Sequence, residues 1–293
     1  MFSPLSRIVS TAQRCARVAI TNGRLRLLPL LLLLPIGQAS AQLMVHPTRI
    51  VLEGNQRSAQ LEIINNTNQP ATYQLSLVNR RMDANGGFSD IDTAAKGELF
   101  AEEMLRYSPR RINLAPGAGQ VVRVMVRKPA GLSSGEYRSH LLFAQKLETS
   151  AASRELNDEP SDGFGISMIP LVGVSIPVII RHGQTAATVS LSNVALSRGA
   201  TGAPVVSLDM HRAGSQSVYG DLIFNFTPAG GIPREIGRAG GVAVYTPNAV
   251  RHVALQLDTP KETALAHGTL TVVYQSRPDE GGGVLAEASL ILP

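Results

Sequence analysis

Apolar and polar residues alternate along most of this chain with a period of two, the spacing of strands that bury one face. Tyr73, Leu75 and Leu77 share one face of a strand, and 58–64 alternates in the same way. The run 43–52 is extended with Pro47 near its start, and Glu53-Gly54-Asn55 and the polar stretch 65–70 read as turns. Further strands are predicted at 105–114, 120–127 and 137–147, punctuated by Pro116-Gly117-Ala118-Gly119 and Leu132-Ser133-Ser134-Gly135. The pattern resumes after Thr188 at 189–196, 205–211, 219–227, 241–245, 250–257, 268–274 and 285–292. No stretch longer than about ten residues keeps a helical stripe. Closely spaced strands with Gly, Pro and Asn turns predict an all-β protein of antiparallel sandwiches, a second and smaller one following the first.

One segment breaks the alternation. Residues 166–180, ISMIPLVGVSIPVII, carry no charge and are rich in Ile and Val. Pro170 and Pro177 lack the N–H that a central strand donates, which argues against a ladder with partners on both sides. A long apolar edge strand invites aggregation unless something covers it. Two readings stay open on the residues alone: burial inside its own domain, or docking against a partner. The preceding stretch 149–165 is polar and reads as an insertion between two strands of one domain. The domain boundary is placed where the apolar run ends, at Arg181-His182-Gly183-Gln184.

The first 41 residues have the order of a secretory signal. Arg7, Arg14, Arg17, Arg24 and Arg26 precede the apolar run 27–36, and Ala39-Ser40-Ala41 supplies small residues for cleavage after Ala41. Those five arginines account for the whole formal charge of +5, since no acid precedes Glu53. The exported remainder is balanced, so no nucleic-acid footprint is expected. Cys15 is the single cysteine and lies in the signal, so the remainder has no disulfide and no thiol nucleophile. Its cores must be large enough to hold without either.

Catalytic chemistry finds little support. The six histidines, His46, His140, His182, His211, His252 and His267, show no pair at ligand spacing on one local element, so no metal is expected. There is no GxSxG elbow, and the acid pairs Glu102-Glu103 and Asp279-Glu280 fall in expected loops. The Gly-rich stretches at 230–231, 237–241 and 281–283 read as turns without the setting of a phosphate cradle. No catalytic residue and no cofactor is assigned. Arginine placement says more. Arg49 sits between Thr48 and Ile50 in an otherwise mostly apolar strand, where a guanidinium needs a carboxylate partner. Arg110, Arg111, Arg123, Arg127 and Arg138 decorate later strands.

Three blocks, LMVHPTRIVLEGNQRSAQLEIINNTNQPATYQL, RYSPRRINLAPGAGQVVRVMV and GEYRSHLLFAQ, stand in an order and spacing that resemble the periplasmic pilus-assembly chaperone family. The likeness is to its archaic or alternative branch, which serves spore-coat-like pilins. It runs over nearly all of the chain beyond the signal and is strongest at 43–180.

The resemblance implies two immunoglobulin-like β-sandwich domains, 42–181 and 182–293, in a boomerang arrangement whose cleft holds an incomplete pilus subunit. It also implies that the last strand of the first domain is lent to the subunit, which here is 166–180 with Ile166, Met168, Ile169, Leu171, Val172, Val174 and Ile176 as donor-strand residues. The face they present is open on the residues alone, because a one-residue slip reverses it.

Two basic residues of the family grip the subunit's terminal carboxylate. Arg49 matches the first, whereas the second, a lysine on the lent strand, falls near Pro177 and has no match; Arg110, Arg111, Arg123 and Arg181 are candidates to replace it. The implied mechanism is stoichiometric capture in the periplasm without nucleotide, followed by exchange at an outer-membrane usher. Self-association through the donor edge is a further expectation. A secreted structural or adhesive two-domain sandwich is the alternative function.

Overall fold

The computed structural model describes residues 43–146, 173–257, 265–278 and 281–293, all within the compact unit Ser40–Pro293. The chain opens with two short strands, β1 (Leu43–His46) and β2 (Ile50–Leu52), followed by β3 (Ser58–Asn65) and β4 (Ala71–Val78). A small hairpin, β5 (Arg80–Met82) and β6 (Phe88–Asp90), comes next, and then a 3₁₀ turn at Glu102–Met104. Strands β7 (Leu105–Ser108), β8 (Arg111–Leu114), β9 (Gly119–Val126), β10 (Gly135–Lys146) and β11 (Gly173–His182) complete the first half. The second half is β12 (Ala187–Arg198), β13 (Pro204–Gly214), β14 (Val218–Pro228), β15 (Arg234–Val244), β16 (Val250–Gln256), β17 (Gly268–Gln275) and β18 (Val284–Leu292).

These strands form an all-β molecule of two sandwiches. One packs a sheet of order β1-β3-β9-β7 against β2-β11-β10-β4-β8; the other packs β12-β13-β16 against β15-β14-β17-β18. Alternation produces each core: Leu61 and Ile63 of β3, Tyr73 and Leu75 of β4, and Leu141 and Phe143 of β10 point inward at period two. Leu222, Phe224 and Phe226 of β14 do the same opposite Leu270, Val272 and Tyr274 of β17. No residue is shared between the two cores. A third, smaller cluster of Met82, Ile179, Ala243 and Tyr245 joins the sandwiches.

Several boundaries differ from the sequence reading for identifiable reasons. The stretch 43–52 divides at Pro47, with β1 pairing β3 and β2 crossing to the other sheet to run parallel to β11. The stretch 105–114 likewise divides near Pro109, since β7 pairs β9 while β8 pairs β4. Glycines 237–241 are not a turn but lie inside β15, whose register with β14 shifts between Gly220 and Leu222 and again between Phe224 and Asn225. Glycine in a strand accommodates such bulges, and Gly241 takes a φ of 69° there.

The expected one-sided ladder of the apolar segment needs correction in its C-terminal half. Strand β11 pairs β10 antiparallel along its whole length, and Val178, Ile179 and Ile180 also pair β2. Pro177 stands just before that parallel pairing begins, so its missing N–H costs no bond to β2. Among the described residues, Gly173–Pro177 has a strand on one side only. The donor positions Ile166, Met168, Ile169, Leu171 and Val172, the insertion 149–165 and the signal with its cleavage site lie outside the described residues.

Strand β10 is the spine of the first sandwich, buried from Gly135 through Leu141. Replacing Phe143, which is fully buried in the core, by alanine is expected to cost about 3–5 kcal/mol in denaturant unfolding, with the strand content of the folded state retained.

Candidate functional site

Strands β2, β11 and β10 present two faces. Ile50, Leu52, Ile176, Val178, Ile180, Tyr137, Leu141 and Phe143 fill the core. Directly opposite residues on paired strands share a face, so the register sets the other one. Val51, Ile179 and Arg138 form one cross-strand row; His140 stands opposite Pro177, and Glu136 opposite Arg181. This second face meets the second sandwich, and it carries every charged group of interest.

Its lower end is closed by a buried carboxylate. Both oxygens of Glu136 accept the Ser217 N–H at 3.0 Å, and Oε2 accepts Arg181 Nε at 3.1 Å. Arg181 also reaches Glu53 at 3.3 Å, so its guanidinium is committed to two carboxylates. A buried charge is tolerated only with such compensation, and here the compensation spans the two sandwiches.

Above it two arginines lie under tyrosines of the second sandwich. Arg49, 9% exposed and immediately before β2, has its guanidinium carbon 4.4 Å from the centre of the Tyr219 ring. Arg138, 8% exposed, sits 4.2 Å from the centre of the Tyr245 ring. Guanidinium over an aromatic face is favourable, more so away from water. Arg138 Nη2 donates to the Arg80 carbonyl at 3.1 Å, while Nη1 is buried with no hydrogen-bond partner among the described residues. Burial pulls the Arg138 pKa down, opposed by Tyr245, Glu136 and Glu98. Burial also raises the Tyr245 phenol, while Arg49 and Arg138 both draw it down, so the two guanidiniums act on one ring.

His140, two residues beyond Arg138, is 3% exposed, and burial, then the charges of Arg138 and Arg80, hold its pKa down to about 3. It is therefore a neutral imidazole at ordinary pH. The Phe88 ring meets it in a T-shaped arrangement, 5.4 Å between ring centres.

Of the sequence candidates, Arg49 is at this site and Arg181 borders it in its ion pairs. The fold does not bring the others here. Arg111 is on β8, the far edge of the sheet from β2, and Arg123 is on β9 of the opposite sheet, both exposed. Arg110 is exposed beside the Tyr107 ring, 5.7 Å away. Val174 and Ile176 belong to the core phase of β11, with Val174 half-buried at the open edge. Arg138 escaped selection because polar residues at 136, 138 and 140 alternate with Tyr137, Ser139 and Leu141 and read as a solvent face; Tyr219 and Tyr245 carry no such pattern of their own. The signal for Arg138 was an ionisable residue at each of three successive same-face positions on a long strand.

No family model and no curated protein matches the chain. Among solved structures it is similar to the YadV chaperone, at 13% identity over 85% of this chain and 100% of that one, with a TM-score of 0.43. The chaperone–tip subunit pre-assembly complex of archaic chaperone-usher Csu pili from Acinetobacter baumannii matches at 12% over 80% and 93%, TM-score 0.40. The Salmonella enterica SafA pilin–SafB chaperone complex matches at 14% over 85% and 96%, TM-score 0.38.

His140 makes stability depend on pH. Its folded pKa lies below the unfolded value, so the unfolded chain binds the proton first and stability is lost as pH falls from about 6.5 toward 3. Denaturant unfolding between pH 7 and pH 4.5 should show a loss of up to about 1.4 kcal/mol per pH unit, and His140→Asn should flatten it.

Proposed function

We propose that this chain is an exported, periplasmic chaperone that captures incomplete β-sandwich subunits of a surface fibre. It lends such a subunit the open edge of β11 and holds the subunit's terminal carboxylate between Arg49 and Arg138. The observation that carries this reading is the adjacency of two features on one strand pair. The half-strand Gly173–Pro177 is laddered on one side only among the described residues, and a buried seat of two arginines lies beside its inner end.

The chemistry of the two features is complementary. A sandwich lacking its last strand exposes unpaired N–H and C=O groups along an apolar groove. A strand added at β11 satisfies the first through main-chain bonds and the second through alternate side chains. Five residues at about 3.3 Å each give a docking edge of about 16 Å. A chain-terminal carboxylate suits the Arg pair, since a guanidinium fork binds it bidentately and the Arg138 Nη1 has a hydrogen bond still to make. Arg138 thus takes the place of the lysine that has no counterpart at Pro177.

Release follows from exchange rather than nucleotide hydrolysis. An incoming subunit's own donor segment replaces β11 at an outer-membrane usher, and the open edge of a resting chaperone is capped by a second copy. The domains remain 42–181 and 182–293 in this reading, with the signal removed after Ala41.

Co-expression with pilin-like products encoded nearby, followed by mass measurement of the purified species, tests the reading. The expected result is a one-to-one complex that protects an otherwise degraded subunit and is absent from the finished fibre. A chain that never retains a subunit, or persists in the fibre, identifies a structural or adhesive sandwich instead. Arg49→Ala and Arg138→Ala should each weaken subunit retention by about tenfold or more, the worth of a charged hydrogen bond, in titrations of folded variants.

A further inference from the structure

The hairpin β5–β6 belongs to the first sandwich by sequence yet is braced from both sides. Asn248 Nδ2 donates to the Met82 carbonyl and the His252 N–H to the Ala84 carbonyl, each at 2.7 Å. At the tip, Gly86 adopts a φ of 87° with the Arg251 guanidinium where a side chain would stand, so the backbone packs directly on the second sandwich. On the other side Arg80 Nε bonds Asp90 and Arg80 Nη1 bonds Ser175 Oγ on β11, both at 2.7 Å. The hairpin is held against the open half of the proposed donor strand.

This bracing holds one apolar side chain in an exposed position. Phe88 is 47% exposed, with its ring T-shaped against His140 and 6.1 Å from the centre of the Tyr245 ring, the same ring that lies over Arg138. A large apolar group half in water beside buried, neutral aromatic surface has contact area still to cover. In a chain-terminal residue the carboxylate and the side chain leave the same Cα. A carboxylate seated on Arg138 therefore brings that side chain beside Tyr245, the ring over Arg138, and toward His140 and Phe88, which stands against both rings.

Resting on the proposed carboxylate seat, we infer that Phe88 is a specificity-determining residue that packs on the side chain of the partner's last residue and selects a large apolar one. The partner class is a polypeptide ending in a residue such as Leu, Met or Phe with a free carboxylate, rather than one ending in Ser or Asp. An acidic terminal residue would place a second charge against apolar rings, and a small polar one would leave Phe88 in water.

The test uses the full exported chain and short synthetic peptides of one alternating threonine–valine body. These end in Leu, Phe, Ser or Asp, each as free acid and as amide, and binding is followed by fluorescence anisotropy. The expected result is a preference for Leu and Phe over Ser of about tenfold or more among the acids, the worth of burying one such side chain. Phe88→Ala should cut that ratio below about threefold, Phe88→Leu should keep most of it, and both should keep the acid-over-amide discrimination and the melting temperature. Acid-over-amide discrimination without a side-chain preference, or a preference unchanged in Phe88→Ala, overturns the inference and leaves the seat standing. Loss of acid-over-amide discrimination in the parent chain overturns both.

Discussion

Strand β10 is buried on both faces, and the rest of the molecule is arranged around that constraint. One face supplies Tyr137, Leu141 and Phe143 to the first core. The other turns Glu136, Arg138 and His140 toward the second sandwich, where water cannot solvate them. Each is settled differently. Glu136 is tied by hydrogen bonds to Arg181 and to the backbone of Ser217, Arg138 is covered by a tyrosine ring, and His140 gives up its proton. Such groups contribute little net stability compared with an apolar surface of the same shape.

The same constraint accounts for the two-sided character of β11. Its core phase, Ile176, Val178 and Ile180, locks it into the first sandwich, and β2 seals its last turn of ladder. The part nearer Gly173 keeps an apolar phase with Val174 but has no described strand beyond it. An edge of this kind is an aggregation hazard when bare. In the proposed function, an anion seat at its sealed end gives a partner strand a fixed starting point. Because a one-residue slip would turn every side chain to the wrong face, an anchor that sets register has physical value beyond its affinity.

Period-two alternation made most strands legible in advance, because one face of each is solvated and the contrast is written in residue type. Legibility failed where tertiary contact changes what a pattern means. Glycines 237–241 looked like a turn because bulges in β15 require glycine as turns do. Asn85-Gly86 is a hairpin signal, but its flanks, three residues each, are too short and polar to register as strands. Arg49 was identifiable as a guanidinium in an apolar run. Arg138 was not, since a charge at alternate positions marks a solvent face until a second sandwich covers it. Pro177 argued for an edge along the whole apolar segment, whereas a three-residue parallel partner that begins after it escapes the proline rule altogether.

The central claim, that the Gly173–Pro177 edge is an open docking site completed by a partner strand, is tested most directly by amide hydrogen exchange at Val174, Ser175 and Ile176, with and without a bound subunit. The account predicts that the amides turned away from β10 exchange rapidly in the free monomer, and that binding slows them while Val178, Ile179 and Ile180 stay protected throughout. Strong protection already present in the free monomer, or no change on subunit binding, would contradict it.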